Sequence, residues 1–400
     1  MIRMPAPRGS SDLPNLILGG APLLGDLTGI GYYTRHLAEA LVEQQLLSDL
    51  KLWGDVGFLS DDVINRLPQL TPTAADSANK RRTLGRALRR IASKSYTASL
   101  LYHSISGQAA AWRLAPYRET HVFHSPNFIL PRYEGRKVIT VHDLSVIRFP
   151  QFHRKQMVEM CERGIRLAIE EQANIVVDSD LVSQELTTQL GVKQDLITTV
   201  HLAADDNCRP RGELECRAVL ARWGLQYQSF FLSVGTIEPR KNLLRVFEAF
   251  RAGRQQKAFD WPLVVVGGPG WKSQKEHEAL QALCAEGLAI YLSYVDDVTL
   301  HLLYSAAGAL VFPSLYEGFG LPVAEALASG CPVMTSRGSA MEEFAGHRVV
   351  LVDPMDSTAL RDGMVLVSED APAGNRLAPE PERSWRDVAV ETARVYDMML

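Results

Sequence analysis

The sequence predicts an α/β fold in two successive halves, each containing mostly parallel strands. Short apolar runs typical of strands alternate with longer helical patterns through most of the chain. The alternation starts again at residues 230–234, after a polar stretch at 205–224 that contains Pro210 and Gly212 and has little strand character. A length of 400 residues also exceeds what one hydrophobic core usually holds, which favours two or three domains.

The individual elements follow from these patterns in chain order. In the first half, the strand-like runs are 15–19, 121–124, 137–141, 175–178 and 197–201. A loop with Gly25, Gly29 and Gly31 follows the first run, and residues 32–43 then have helical periodicity. In the second half, the strand-like runs are 230–234, 263–266, 289–292, 309–312 and 349–352, with helical residues at 242–252 and 385–399. We expect domains at 1–207 and 208–380, and a final helical segment at 381–400.

Composition excludes several classes of protein. Hydrophobic residues at 46% and charged residues at 22% indicate a folded chain, and a net charge of −4 gives no reason to expect nucleic-acid binding. No apolar run approaches the ~20 residues that cross a bilayer, and the N-terminus lacks the apolar core of a secretory signal. Scattered cysteines without a CxxC pair predict a reduced, cytoplasmic protein without a structural zinc site. The cysteines are Cys161, Cys208, Cys216, Cys284 and Cys331.

The most specific motif is PSLYEGFGLPVAEA at residues 313–326. It follows the strand-like run 309–312, and ligands of open α/β sheets bind beyond the C-terminal ends of strands. Gly318 and Gly320 let backbone amides approach a ligand, and Pro322 suits the first turn of a helix. Such a helix would direct free amides and a positive dipole end at an anion such as a diphosphate.

Two carboxylates frame this motif. Glu317 lies on the loop and Glu325 lies about one turn into the predicted helix, so the two could engage different parts of one ligand. The alternative interpretation is a glycine turn before a helix, with two incidental surface acids. The combination of a strand, EGFGLP and a second Glu favours a ligand site.

A second motif, GTIEPRKN at residues 235–242, also follows a strand-like run directly. Arg240 and Lys241 on this loop could neutralise a diphosphate, because Arg offers a planar fork to two oxygens and Lys a mobile point charge. The alternative is a solvated turn with two surface cations.

The first half contains weaker candidates. Gly29 and Gly31 lie between a strand and a helix and could approach phosphates. His142 ends the strand-like run 137–141 and could hydrogen-bond a sugar hydroxyl or the reacting region, although a single histidine at a strand end is more often structural. Residues 121–127 also place polar groups at a strand end, where they could face an acceptor.

One stretch, residues 77–118, is strongly basic and contains no acid. Within it, residues 80–94 have the pattern of a basic amphipathic helix, with Arg82, Arg86, Arg89 and Arg90 opposite an apolar side. Such a helix could lie on an anionic membrane surface. An ordinary solvated helix at a domain edge has the same pattern, and both interpretations stay open.

Taken together, these segments resemble the retaining glycosyltransferases of family 4, in particular their bacterial O-antigen mannosyltransferase-like branch. The likeness covers nearly the whole chain, and the spacing between Glu317 and Glu325 is its most specific element. It implies the GT-B type of fold, in which two Rossmann-like domains with parallel sheets face a central cleft. It also implies that the final helix crosses back to pack on the N-terminal domain.

The resemblance assigns roles to the motif residues. It implies that Glu325 holds the ribose hydroxyls of a nucleotide-sugar donor and that Glu317 lies near the hydroxyls of the transferred sugar. It implies that His142 reaches towards the donor sugar from the N-terminal domain. The diphosphate would be held by two cations, by backbone amides and by glycine loops: Arg240, Lys241, Phe319, Gly320, Leu321, Gly29, Gly31 and Gly235.

Two positions depart from the family pattern. Many members carry Arg directly after the loop glycine, where this chain has Thr236, so we expect Arg240 to supply the guanidinium instead. The first strand ends in Gly19, Gly20 and Ala21, where the branch often has an acid.

The resemblance implies a metal-independent hexosyltransferase that needs no cofactor besides its donor, with GDP-mannose as the expected donor. A glycan or polyprenyl-diphosphate-linked oligosaccharide is the expected acceptor, in lipopolysaccharide or related polysaccharide synthesis. Residues 80–94 could then touch the cytoplasmic face of the inner membrane. The alternatives are another GDP- or UDP-activated sugar, or a protein that binds sugar nucleotides without turnover. A nicotinamide-dependent oxidoreductase is disfavoured because no GxGxxG is followed by an acid at the expected distance.

Overall fold

The computed structural model describes residues 13–24, 29–54, 57–65, 67, 107–370 and 383–400. Within these ranges the chain forms two parallel six-stranded sheets with helices around them, which confirms the predicted α/β class and its two halves. The basic residues 80–94 lie outside the described part of the chain. Among the described residues, no helix is long and apolar enough to cross a membrane.

The first sheet uses six strands from the N-terminal half. They are β1 (Asn15–Gly19), β2 (Asp49–Trp53), β3 (His121–Ser125), β4 (Arg136–Val141), β5 (Asn174–Val177) and β6 (Ile197–Thr199). They lie in the order β2-β1-β3-β4-β5-β6, and every neighbouring pair is parallel. The helices are α1 (Gly29–Glu43), α2 (Asp61–Asn65), α3 (107–114), α4 (Ser145–Arg148), α5 (Lys155–Glu170) and α6 (Asp180–Leu190).

The second sheet repeats this architecture. Its strands are β7 (Phe231–Val234), β8 (Leu263–Val266), β9 (Ala289–Leu292), β10 (Ala309–Phe312), β11 (Val333–Ser336) and β12 (Val350–Val352), in the order β12-β11-β10-β7-β8-β9. All neighbouring pairs are again parallel. The helices are α7 (Glu213–Ala221), α8 (Leu243–Gln255), α9 (Gln274–Ala285), α10 (Asp297–Ala306), α11 (Leu321–Ala328), α12 (Ala340–Ala345), α13 (Ser357–Asp370) and α14 (Trp385–Asp397).

The burial of each strand explains whether the sequence analysis predicted it. Strands β3, β8 and β10 are buried at every position, as expected for parallel strands covered on both faces by helices. The sequence analysis missed β2 and β11. Strand β2 is a partly exposed edge strand that mixes polar and apolar residues, and β11 is buried but includes Thr335, whose hydroxyl donates to the carbonyl of Phe312 (2.9 Å).

Helix α14 packs on the first half of the chain although it comes last in the sequence. It contacts α1, and the imidazole of His36 stacks on Trp385 with ring centres 4.9 Å apart. The Tyr396 hydroxyl lies 2.6 Å from Nδ1 of His124 on β3. The two halves are therefore tied together by the end of the chain as well as by the 200–212 connection.

Helix α1 begins at Gly29, three residues earlier than predicted. The two glycines at 29 and 31 are therefore part of the first helical turn, and not of the preceding loop. Periodicity alone placed the start at Tyr32 because glycine carries no side chain to mark a helix face. Gly29 is exposed and Gly31 is buried, so only Gly29 presents open backbone at the helix start.

Candidate functional site

The C-terminal ends of β4, β7 and β10 bring most of the predicted site residues together between the two sheets. His142 follows β4, Gly235 follows β7 and the Glu317 loop follows β10. At Gly318 the two halves touch, since an added Cβ would lie 1.6 Å from the carbonyl oxygen of His142. Only glycine fits at this position, so this glycine of the 313–326 motif permits a close backbone approach between the two halves of the chain.

Glu317 occupies the centre of a buried ion cluster. Nη1 of Arg240 donates to its Oε2 (2.8 Å) and Nζ of Lys241 donates to its Oε1 (2.6 Å). Burial by itself would raise the pKa of Glu317, but the two cations outweigh burial and lower the pKa to about 2. Glu317 is therefore ionised throughout the physiological pH range, with both oxygens oriented by cations.

Arg240 is held from three sides. Its Nη2 donates to Glu238 (2.8 Å) and its Nη1 donates to the carbonyl of Tyr316 (2.7 Å) as well as to Glu317. Burial opposes the charge of Arg240, but the surrounding carboxylates of Glu317, Asp143 and Glu238 raise its pKa above the usual range. Its guanidinium is thus charged and fixed in orientation before any ligand arrives.

The side chain of Lys241 lies against the backbone of its own loop. Burial lowers its pKa, while Glu317 acts in the opposite direction. Its side chain packs against Gly235, whose φ of 137° is in the region that favours glycine. The loop is further fixed by Asn242, whose Nδ2 donates to the carbonyls of Pro313 (3.1 Å) and Pro354 (2.7 Å).

A second glycine loop supports the first. The amide of Ile237 donates to the carbonyl of Gly268 (3.0 Å), and the amide of Gly270 donates to the carbonyl of Ile237 (2.9 Å). Gly267 lies so close that an added Cβ would be 1.9 Å from the carbonyl oxygen of Gly235. The loops after β7 and β8 therefore form one unit beneath the two cations.

Helix α11 begins at Leu321 directly after the loop, and Gly320 at its N-cap has a φ of 102°. An added Cβ at Gly320 would lie 2.5 Å from Met341. The Phe319 ring stacks on Phe344 with centres 4.4 Å apart, and it packs into the core of the first half of the chain. Pro322 has no N–H and the amide of Val323 donates to the carbonyl of Gly320 (2.9 Å), so the amide of Leu321 is the donor that the start of α11 offers to an anion.

Glu325 lies further along α11 and is partly exposed. Burial raises its pKa to about 7, and the charges of Asp205 and Asp297 add to the rise. The pKa of Glu325 is therefore well above that of Glu317. Burial and nearby acids raise the first, whereas two neighbouring cations outweigh burial at the second. Near neutral pH Glu325 is partly protonated.

The His142 side chain is fixed within the first half of the chain. Its Nδ1 lies 2.7 Å from the Asp178 carboxylate, and its Nε2 donates to the carbonyl of Pro126 (3.0 Å). Burial would lower the pKa of His142, but Asp178 outweighs burial and raises it. Both ring nitrogens are thus engaged within the first half of the chain, and the backbone carbonyl of His142 lies against Gly318 of the Glu317 loop.

Within residues 121–127, His124 has a structural role and does not face an acceptor, whereas the prediction for the other residues stays a prediction. His124 is fully buried, with Nδ1 2.6 Å from the Tyr396 hydroxyl and Nε2 2.8 Å from the hydroxyl of Thr140. Burial lowers its pKa to about 3, so it is neutral. The sequence could not show this because Tyr396 is 272 residues away along the chain.

The chain contains one Asp-x-Asp sequence, Asp178-Ser179-Asp180. Asp178 binds His142, and the side chain of Ser179 caps α6 by accepting a hydrogen bond from Val182. Asp180 is exposed and lies with His201 and Glu343 in a group whose ligand atoms are all within 4.8 Å of one another. Glu343 in that group already accepts hydrogen bonds from two backbone amides of α6. Metal independence stays a prediction.

Three residues near the site escaped the sequence analysis. Tyr316 bonds to both halves of the chain, and Asp178 orients His142. Nε2 of His153 is buried and has no hydrogen-bond partner in the described structure; Asp143, Arg240 and Glu238 all act electrostatically on its ring. Burial lowers the pKa of His153, which keeps it neutral. Only the adjacency of Tyr316 to Glu317 gave a signal in the sequence.

Gly29 and Gly31 lie in the first turn of α1. Among the described residues, no atom lies within 4 Å of an added Cβ at Gly29, and residues 25–28 before it are outside that part of the chain. Tyr32, in the same helical turn, donates from its hydroxyl to Asp297 at the start of α10 (2.7 Å). The first turn of α1 thus reaches the second half of the chain.

Comparison with known proteins places this geometry in a family. A family model described as glycosyl transferases group 1 matches residues 223–382. The O-antigen chain mannosyltransferase B of Escherichia coli is 30% identical over 392 residues, which cover 96% of this chain and 100% of that protein. The O-antigen chain mannosyltransferase RfbU of Salmonella typhimurium is 24% identical and covers 55% of this chain and 57% of its own length.

Solved structures share the fold. WaaG, a glycosyltransferase involved in lipopolysaccharide biosynthesis, has a TM-score of 0.62 at 14% identity, over 96% of this chain and 95% of its own. Anabaena Alr3699/HepE, solved in complex with UDP and glucose, has a TM-score of 0.58 at 15% identity, over 97% and 95%. Together with the near full-length likeness to mannosyltransferase B, these matches show that the chain belongs to the group 1 glycosyltransferases and has their two-domain GT-B fold.

Proposed function

We propose that the protein transfers mannose from GDP-mannose to a glycan or lipid-linked oligosaccharide, with retention of anomeric configuration and without a metal ion. The observation that carries the proposal is the buried cluster of Arg240, Lys241 and Glu317 beside Gly318, at the contact between the two domains. Similarity to two O-antigen mannosyltransferases supports the choice of mannose.

The cluster suits a leaving diphosphate. In sugar transfer from a nucleotide donor, negative charge develops on the diphosphate as the glycosidic bond breaks, and fixed cations stabilise that charge. Arg240 and Lys241 are held in place by Glu317 and Glu238, so little reorganisation is needed when the donor binds. The backbone amide of Leu321 at the start of α11 supplies a further donor to the diphosphate.

Glu317 has capacity left for the sugar. A carboxylate offers about four acceptor positions, and Arg240 and Lys241 use one on each oxygen. The remaining positions can accept hydroxyl groups of the transferred hexose. Because its pKa is about 2, Glu317 stays a pure acceptor at neutral pH.

The acceptor approaches from the first domain in this proposal. The acceptor hydroxyl attacks the anomeric carbon from the side of the leaving phosphate, and its proton passes to a donor phosphate oxygen. This route needs no protein base, which agrees with a His142 ring whose nitrogens are both engaged. The protein contributes charge neutralisation and positioning of two substrates. The acceptor belongs to cell-surface polysaccharide synthesis at the cytoplasmic face of the inner membrane.

Thermal-shift titration against GDP, UDP, ADP and their sugar conjugates tests the donor, because a ligand of the folded state raises the melting temperature. A selective shift with GDP and GDP-mannose is expected. Transfer is then measured with a lipid-linked oligosaccharide, with and without a chelator, and NMR of the product reports the anomeric configuration. Selective binding of UDP sugars would overturn the donor, and an inverted product would overturn retention.

Two variants locate the site. Arg240→Ala is expected to lower kcat/KM about 100-fold or more, because one charged donor to developing phosphate charge is worth several kcal/mol. Arg251→Ala is the matched control, since Arg251 forms an exposed pair with Glu286 (2.8 Å). Equal losses in the two variants would contradict the placement of the site.

A further inference from the structure

Tyr316 connects the donor-side loop to the first domain through its hydroxyl. The residue is 4% exposed and directly precedes Glu317. Its hydroxyl donates to Oε2 of Glu185 on α6 (2.6 Å) and accepts a hydrogen bond from the amide of Leu144 (3.0 Å). Both partners belong to the first domain. One hydroxyl from the second domain therefore satisfies two polar groups of the first domain.

The other end of Tyr316 contacts the cation cluster. Its backbone carbonyl accepts from Nη1 of Arg240 (2.7 Å), the same atom that binds Glu317. Leu144 is two residues from His142, whose carbonyl oxygen lies against Gly318. Tyr316 therefore joins Arg240 on the donor side to residues 142–144 on the acceptor side through two hydrogen bonds.

We propose that Tyr316 is a positioning residue for sugar transfer, whose hydroxyl fixes residues 142–144 against the Glu317 loop. The inference rests on the proposed function and adds a residue that the motif roles do not include. Misplacement of reacting groups by about 1 Å can lower a rate about 100-fold. The tether acts where such a shift matters, because it lies beside the contact between His142 and Gly318.

The packing around the Tyr316 ring allows a conservative substitution. The guanidinium of Arg148 lies 5.3 Å from the centre of the Tyr316 ring and pairs with Glu185. Tyr316→Phe keeps this packing and leaves Arg148 to hold Glu185. It removes only the hydroxyl, which leaves the Leu144 amide and one carboxylate oxygen without their partner.

Glu343 on α12 offers a matched control, because it contacts the same first-domain helix, α6, from the second domain. Its carboxylate oxygens accept from the amides of Asp180 (2.9 Å) and Leu181 (2.7 Å) at the start of α6. Glu343→Ala therefore removes two hydrogen bonds between the domains, as Tyr316→Phe does. Only the Tyr316 bonds include residues 142–144, so the two variants separate positioning from general attachment of the domains.

Steady-state kinetics with the full chain compare the two variants. For Tyr316→Phe we expect kcat to fall about 10- to 100-fold while the donor KM changes less than about threefold. For Glu343→Ala we expect kcat within about threefold of the wild type. The double variant Tyr316→Phe/Glu185→Gln should lose little beyond Tyr316→Phe, because the two groups act as one unit. A wild-type kcat in Tyr316→Phe, or equal losses in Glu343→Ala, overturns the proposal.

Hydrogen exchange gives a readout that needs no turnover. In Tyr316→Phe, the peptide containing Leu144 should exchange faster than in the wild type, and in Glu343→Ala it should not. Unchanged exchange in Tyr316→Phe overturns the tether whatever the donor is. If the tether is present but no sugar nucleotide binds the wild type, the proposed function fails and the structural role of Tyr316 stands.

Discussion

Replacement of Glu325 by Gln is expected to stabilise the free protein at alkaline pH while it weakens donor binding. The pKa of Glu325 is raised from 4.5 to about 7, because burial disfavours the charged form. The folded chain therefore favours the protonated form of Glu325. The contribution of this preference to the free energy of unfolding is fully present below pH 4.5. It is lost as the pH rises through 7, where the folded chain must carry the buried charge.

The magnitude follows from the difference between 4.5 and about 7. At about 1.4 kcal/mol for each pH unit, full transfer of this difference into stability gives about 3 kcal/mol. Glu325 keeps some contact with solvent, which screens part of the charge. We therefore expect the stability of Glu325→Gln relative to the wild type to rise by about 1–3 kcal/mol between pH 4.5 and pH 8.

Urea unfolding of both proteins at pH 5, 6, 7 and 8 measures this difference. Glu248→Gln is the control, because Glu248 is an exposed glutamate on α8. The difference in unfolding free energy between Glu248→Gln and the wild type at each pH is the baseline for removal of one surface carboxylate. A flat difference for Glu325→Gln, or one that falls as the pH rises, would refute the reasoning. GDP affinity of Glu325→Gln at pH 8 should be about tenfold weaker, since a charged acceptor is lost.

Two further predictions concern the domain contact and the histidine beside it. Gly318→Ala places a Cβ 1.6 Å from the carbonyl oxygen of His142, so the two loops must move apart. We expect kcat to fall about 100-fold, while the affinity for GDP stays within about threefold of the wild type. A wild-type kcat in this variant would contradict the contact. Asp178→Asn removes the carboxylate that raises the pKa of His142, so NMR titration should show a lower pKa for that ring, and an unchanged value would contradict the assignment.

Local patterns predicted most of the fold. Strands that are buried on both faces, such as β8 and β10, appear in sequence as short apolar runs, and the glycine loops after them mark their ends. The structure confirms the two parallel sheets. The same patterns missed edge strand β2, where polar side chains face solvent and interrupt the apolar run.

The sequence also predicted Arg240, Lys241 and Glu317 as candidate site residues, because each lies in a short motif directly after a strand, and the structure brings the three together. Parallel strands place such loops at one edge of a sheet, so proximity follows from topology. Their pairing at 2.8 and 2.6 Å was not predictable, since it depends on how two separate loops pack.

Only the tertiary structure decided what each histidine does and which residues join the domains. The ring of His142 is held by Asp178, 36 residues away, and His124 is held by Tyr396 on the last helix. Tyr316 meets Leu144 across 172 residues of chain. Composition, periodicity and motifs report on neighbours along the chain. These hydrogen bonds exist because tertiary packing, within the first domain for His142 and between distant parts of the chain for His124 and Tyr316, brings polar groups within 3 Å.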